Sequence, residues 1–399
     1  MGDEEVKRLR HKFDDMMAAL FQQKGASLDI SVLASDEAQG FISEHASLLD
    51  SAFQRVEMSD AMRSRLTRSD YIFSGLKAFH ELNEAFPSLL DENGERKTFE
   101  RFLNDVQTID ETYNRHYLRA EYNFIHASAE MAAKWEGFME DGDRYNLQYR
   151  TQRDDRVRPE HAALDGTTLP PSDPFWESYY PPNGWNCRCT VVQVRHSKYP
   201  ATPHDEAMAR GEEALQRDTK GIFRFNPGKE QKTMPDYNPY TIRRCRDCDV
   251  AKGKAKLAFV PENELCEACK IVRSCIKDDA KQTKHKAKSI QGSFLKNEGF
   301  KHAVLVSKNS IKEWINQPFK YVNEKNRMLL NIDNVFKNAS YAGTADNHKG
   351  VKGLSQSHIF ETSIRNEKAY IIVREYITGE FILHSISEGG KLLEHIKKK

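Results

Sequence analysis

The sequence predicts a multidomain α+β chain: a helical N-terminal domain with a small sheet, a four-Cys zinc-ribbon-like linker, and a C-terminal α+β domain with an antiparallel four-stranded sheet. Three observations carry this expectation. Residues 3–140 hold a single proline, Pro87, and repeat their apolar residues at helical spacing. Two C-x2-C pairs stand in mid-chain. Residues 300–399 alternate apolar and polar positions between tight turns. The length of 399 residues suggests about two to three domains, and the hydrophobic content of 39% suffices for packed cores. The boundaries read as 1–200, an extended tail over 201–244, a zinc-binding linker over 245–276, a basic linker over 277–299, and a last domain over 300–399.

In the helical part, Pro87 and the turn dipeptide Asn93-Gly94 mark a break. The strongest helix is expected over 109–139. Its apolar residues Tyr113, Tyr117, Ala120, Phe124, Ala127, Met131, Trp135 and Phe138 step by three and four, which places them on one face. Such a stripe serves helix packing first; a contact in an assembly is the other reading. Gly142 is the expected stop. The period then changes to two: Tyr145, Leu147 and Tyr149 read as a half-buried strand, and Thr190–Val194 as its partner.

Between those strands runs a long irregular stretch, Arg158 to Cys189. Pro170-Pro171 and Pro181-Pro182 forbid helix there. Phe175, Trp176, Tyr179, Tyr180 and Trp185 carry too much apolar surface to stay wet, so the stretch reads as an ordered loop on a core. His161, Cys187 and Cys189 could supply three metal ligands, with His196 or Asp155 near in sequence for a fourth. The alternative is two buried small cysteines and a histidine hydrogen-bonded within the loop. Further on, Lys220–Gly228 is expected to be a short strand ending in a turn.

This stretch also carries a resemblance. Tyr149-Arg150-Thr151, Arg158-Pro159-Glu160-His161, Leu164-Asp165-Gly166 and the run Tyr180-Pro181-Pro182-Asn183-Gly184-Trp185-Asn186-Cys187-Arg188-Cys189 resemble the signature of the phage Mu F-type head-morphogenesis (minor capsid) family, over roughly residues 30–200. The resemblance implies a phage minor head protein made in the bacterial host cytoplasm and carried in the virion. Its implied partners are phage portal and capsid proteins.

Cys245 and Cys248 are followed, after 17 residues, by Cys266 and Cys269. Two such knuckles close a tetrahedron of thiolates around zinc and leave no position for water, so the site would be structural. An iron–sulfur cluster or unliganded thiols are the alternatives. Cys275 reads as a bystander.

Net charge is +1, but residues 270–399 carry +11 and the remainder −10. A basic module behind an acidic one points to RNA, DNA or another polyanion as partner of the tail. No run approaches the roughly 20 apolar residues of a membrane span, so no membrane is expected. The N-terminus has no apolar segment of a secretory signal. Val6 stands where myristoylation wants Ser or Thr.

In the last domain a strand is expected at Ala303–Ser307, a helix through Lys312–Ile315 capped by Ser307 or Asn309, and a second helix at Asn323–Lys337. Four strands follow, at Ala339–Gly343, His358–Ile364, Ala369–Tyr376 and Glu380–Ile386, with a closing helix over 388–396. Helices followed by an antiparallel sheet resemble the barnase/EndoU/colicin/RelE-like nuclease superfamily over about 300–396. That resemblance implies a nuclease-like toxin domain that cleaves RNA without a metal or other cofactor; the alternative is a purely structural virion protein whose basic tail domain binds nucleic acid or scaffold and cuts nothing. Such cleavage needs a base for the 2′-hydroxyl, an acid for the leaving oxygen and a cation for the phosphorane. His358, Glu361, Arg374, His384 and Ser385 are the candidate catalytic residues, with His348 as a further one. His358 and Glu361 are three apart, so a regular strand turns them to opposite faces unless a bulge intervenes.

Overall fold

The structure is a computed structural model that describes residues 2–244, 269–271, 283–317, 319, 322–346, 351–364 and 367–387. The chain divides into two compact units, Met1–Ser274 and Cys275–Lys399.

Unit 1 begins with five helices: α1 (Asp3–Phe21), α2 (Asp36–Asp50), α3 (Asp60–Ala85), α4 (Phe99–Glu111) and α5 (Leu118–Asp141). Three of them start on a hydroxyl cap. Ser35, Ser59 and Thr98 accept the backbone N–H of Ala38, Met62 and Arg101, each satisfying one orphan donor of the first turn. Helix α3 ends just before Pro87, and Gly94 turns the following loop with φ of 78°. Phe13, Leu20, Phe41, Leu49, Phe73, Leu76, Phe102 and Phe124 form the core between the helices.

The single helix expected over 109–139 is not continuous. Thr112–Tyr117 is a π-helical stretch between α4 and α5. The wider turn inserts a residue and rotates the register. The foreseen stripe therefore breaks: Tyr113, Phe124, Met131, Trp135 and Phe138 are buried, whereas Tyr117 is exposed and Leu118 takes its place in the core.

A three-stranded antiparallel sheet follows, in the order β2 (Thr168–Leu169), β1 (Asn146–Arg150), β3 (Thr190–Val194). As expected, β1 and β3 pair across the long loop. Burial is two-sided rather than one-sided, because Asn146 and Gln148 are covered as well as Leu147 and Tyr149. Their amides are satisfied by Tyr199 O at 3.1 Å and Thr168 Oγ1 at 2.8 Å. Trp135, Phe175, Trp176, Tyr179, Tyr180 and Val191 form a second core under the loop.

The segment after β3 is more helical than its sequence suggests. Helix His204–Ala214 packs in the second core through Ala207 and Ala214. The strand expected at Lys220–Gly228 does not form. Asp218 instead accepts the N–H groups of Ile222 and Phe223 at 2.9 and 2.7 Å, and Asn226 caps the short helix Pro227–Glu230. Gly228 lies so close to α5 that a Cβ there would overlap Trp135.

Unit 2 holds a six-stranded sheet, which corrects the expected four. Its order is β4 (Phe294–Asn297), β5 (Phe300–Leu305), β9 (Phe381–Ser387), β8 (Glu367–Tyr376), β7 (Leu354–Ile364), β6 (Ser340–Asp346). All neighbours are antiparallel except β5 and β9. The strand expected at Ala303–Ser307 forms as β5, starting earlier, and joins the sheet with the unforeseen β4 as a hairpin on the edge of the meander. Helix Lys308–Asn316 is capped by Ser307, as anticipated. The second helix is two, Val322–Leu330 and Ile332–Lys337, broken at Asn331 with φ of −120°. Buried Lys325 donates to Ile315 O and Gln317 O at 3.0 and 2.6 Å, which closes the C-terminal end of the preceding helix. The closing helix over 388–396 lies outside the described residues.

Candidate functional sites

The irregular loop of unit 1 is tied at both ends. Arg188 grips Asp154 with two bonds of 2.7 Å, and Gln152 Nε2 donates to Arg188 O at 2.9 Å. Thr151 N and Arg153 Nε both reach Asp165, at 2.9 and 3.0 Å. Inside this frame the structure brings His161, Cys187 and Cys189 together. Their ligand atoms all lie within 4.8 Å of one another and all three residues are buried. His161 Nδ1 is 3.7 Å from Cys187 Sγ and 4.0 Å from Cys189 Sγ. The Cys187 thiol is pulled well below its ordinary range, first by its hydrogen bond with Cys189, while Cys189 is pushed up. Tyr149 adjoins both sulfurs, and its hydroxyl donates to Asn183 Oδ1 at 2.8 Å. Beside the cluster lies a cavity of about 300 Å³ lined by Arg158, His161, Trp185, Arg217 and Phe223, among others.

A second polar cluster lies in the helix bundle and was not foreseen. Lys77, fully buried, donates to Glu121 Oε2 at 2.9 Å and Tyr113 O at 2.8 Å, and its Nζ is 3.1 Å from His45 Nε2. Tyr240 donates to the other Glu121 oxygen. Burial pushes Glu121 up, but the charge of Lys77 with the bonds from His45 and Tyr240 carries it down to about 2. Burial lowers His45 to about 4. Asp70, fully buried, is raised by burial to about 7, against the opposing hydrogen bonds of Asp50 and Thr233. This is a structural network, whose members lie on α2, α3, α5 and the helix Pro239–Arg244.

Asp70 gives a pH signature. Its folded pKa lies above its ordinary value of 3.8, so its contribution to stability is complete below about pH 4 and is lost as pH rises through 7. Asp70→Asn removes that loss. The variant should gain stability relative to the parent between about pH 4 and 7 and hold a level difference above. Urea midpoints of both chains across that range check this; a constant difference refutes it.

In unit 2 the predicted catalytic residues fall in three groups. Between His358 and Glu361 the β7–β8 register is unbroken, so no bulge brings the two to one face. Glu361 pairs with Lys368 at 2.9 Å. It shares its face with Arg374 and Ser385, whose register partners are Ser357 and Ile372. Ser385 is buried and Arg374 half-buried. His384 is the extra residue of a bulge in β9, since Ile372 pairs with Ser385 and Val373 with Leu383. Of the four with a register partner, His358 is the one on the core face.

There His358 has partners that the sequence reading omitted. Its Nε2 is 2.9 Å from Glu375 Oε2, and its Nδ1 is 3.0 Å from the Tyr341 hydroxyl. Gln356 also donates to Glu375, at 2.6 Å. The Glu375 carboxyl is held below its ordinary range, first by Gln356 and then by His358. Burial raises Tyr341, and the charge on Glu375 adds to this. Phe300 and Phe381 flank the imidazole, and exposed His302 stacks on Phe381 at 4.1 Å. Glu375–His358–Tyr341 is thus a carboxylate–imidazole–hydroxyl chain, the arrangement that orients a base and activates a hydroxyl. A signal for Glu375 existed: the antiparallel pairing of β7 with β8 sets Gln356 opposite Glu375 and His358 opposite Val373, which puts His358 and Glu375 on one face. His302 and Tyr341, on other strands, had no comparable signal.

Cys269 is buried in the bundle core. Cys245, Cys248, Cys266 and His348 lie outside the described residues, so the four-Cys arrangement is not among the observed geometry.

Residues 92–192 match the family model described as Phage Mu protein F like protein. The chain carries a Mu F-like region. That region contains the helix α5, the small sheet and the whole irregular loop, a narrower span than the resemblance suggested. Two curated proteins agree with it. "Putative capsid assembly protein F" of Escherichia phage Mu is 44% identical over 71 residues, which is 18% of this chain and 16% of that protein. The "Mu-like prophage FluMu F protein" of Haemophilus influenzae is 32% identical over 106 residues, 25% of this chain and 26% of that protein. The chain thus spans about a quarter or less of the curated relatives it matches. Residues 275–383 match a model described as Large polyvalent protein-associated domain 3. That description names no activity, so the nuclease resemblance rests on the order of helices and strands. No solved structure matches the chain. No described helix is long and apolar enough to cross a membrane.

Proposed function

We propose that the protein is a phage head-assembly component, a minor head protein that docks on portal and capsid proteins and enters the virion. The observation that carries this reading is the Mu F-like region, with its similarity to a capsid assembly protein of phage Mu. The loop in that region is held by bidentate and multiple bonds at both ends, as suits a surface that must keep its shape on docking. A structural four-thiolate zinc site of Cys245, Cys248, Cys266 and Cys269, all within the sequence span of unit 1, belongs to the same proposal. In cells producing the phage, the protein should co-sediment with portal-containing procapsids. If it stays with free protein on the gradient while normal heads assemble without it, the reading fails.

The Glu375–His358–Tyr341 chain supports a further reading of unit 2, as an RNA-cleaving domain. Here His358 takes the hydroxyl proton of Tyr341, Glu375 holds the imidazole, the Tyr341 oxygen takes the proton of the 2′-hydroxyl as it attacks phosphorus, and His302 gives a proton to the leaving 5′ oxygen. Arg374, Glu361 and His384 would then contact the polynucleotide rather than the reacting atoms, and buried Ser385 would touch neither. The basic charge of residues 270–399 would draw the strand. RNA incubated with the full-length protein in excess chelator should be cut. Salt-sensitive binding without cutting would make this unit a binding module instead.

A further inference from the structure

We propose that His161, Cys187 and Cys189 bind a zinc ion that clasps the irregular loop of the Mu F-like region. The loop leaves β1 at Arg150 and rejoins β3 at Thr190, so it must return to within two paired strands of its start. His161 lies on its first short helix, Pro159–Ala162, and the two cysteines lie immediately before β3. The fold therefore folds both ends of the loop onto one point.

The donors suit zinc in type and spacing. Thiolate and imidazole are its usual ligands, and a tetrahedral ion with bonds of about 2.3 Å to sulfur and about 2.0 Å to nitrogen needs neighbouring ligand atoms about 3.5–3.8 Å apart. The two nitrogen–sulfur separations, 3.7 and 4.0 Å, lie within about half an ångström of the ~3.5 Å that such a pair needs. The ring presents Nδ1, not a carbon edge, to both sulfurs. The two cysteines are not joined in a disulfide. Hydrogen bonding alone is a weak reason to bury two thiols and an imidazole together, because sulfur is a poor donor and acceptor.

The local backbone is arranged for this. Asn186, one residue before Cys187, has a left-handed φ of 57°, which reverses the chain and presents the C-x-C pair. Arg158 donates to Trp185 O at 2.6 Å and closes the entry of the loop against its exit. Three protein ligands leave one tetrahedral corner. Water or a small anion takes it, from the cavity that His161 lines. The ion replaces a hydrophobic contact that so irregular a segment cannot supply, and it is separate from any four-cysteine site further along.

Zinc per chain, measured on the full-length protein after dialysis against a weak chelator, should fall by one equivalent on Cys187→Ser with Cys189→Ser. A second measurement avoids a folding artefact. In the full chain carrying Cys245→Ser, Cys248→Ser and Cys266→Ser, X-ray absorption at the zinc edge should report two sulfurs at about 2.3 Å and nitrogen or oxygen at about 2.0 Å. Unchanged zinc in the first experiment overturns the proposal. So does absent or four-sulfur zinc in the second, or a Cys187–Cys189 disulfide in the metal-free parent.

Discussion

Lys77→Met should destabilise unit 1 by about 3–5 kcal/mol, the cost of leaving a buried charge without its partner. Lys77 is fully buried and its ammonium group meets three acceptors within 3.1 Å: Glu121, Tyr113 O and His45. Methionine fills most of the volume but satisfies none of them. Glu121 then keeps Tyr240 and His45 as partners while losing the only cation in direct contact with it among the described residues. Adding Glu121→Leu to Lys77→Met should recover part of the loss, because an ion pair replaced by apolar side chains is often neutral. The comparison is best read from hydrogen exchange of α3 amides under urea, since a chain of two units need not unfold in one step. A single variant as stable as the parent would show that the network is solvated and not dry.

The second large effect concerns unit 2. If the full-length protein cleaves RNA in chelator, Tyr341→Phe and His358→Ala should each lower the rate by about 10²–10⁴-fold, the range for loss of a positioned acid or base. Glu375→Gln should cost less, because the new amide oxygen can still accept from the imidazole while Gln356 holds that side chain in place. His302→Ala tests the other proton donor. Glu361→Gln and Arg374→Lys, on the opposite face, should raise KM more than they lower kcat. A profile in which Arg374 and Glu361 dominate kcat while His358→Ala is active would place the chemistry on the other face of the sheet.

How much could be read beforehand differs between the units for physical reasons. The helix start at Ser307 was legible because a capping residue stands ahead of apolar periodicity; Ser59 and Thr98 carry the same local signal, though no start was read at either. The π-helical turn at Thr112–Tyr117 was not, since it depends on packing that no single window records. Lys220–Gly228 has the composition of a strand, yet Asp218 captures its backbone donors first. Strand β4 is too short and polar to announce itself; only Leu295 and Asn297 turn inward. The loop cluster was legible in part: three candidate ligands were visible, but their convergence needed the pairing of β1 with β3. His358 was visible as a candidate, whereas its role depends on Glu375 and Tyr341, reached through strand register.

The contact between β5 and β9 carries a kinetic consequence. It is the one parallel seam of its sheet, with Leu305 opposite Ile382 as its register pair. Those residues lie 77 positions apart, far more than the neighbours across the hairpins. Closing so wide a span costs chain entropy before any pairing repays it. The meander of β6 to β9 can assemble from near neighbours, while the first ribbon of the domain, made earliest by the ribosome, must wait for β9 before it has a strand of that meander to pair with.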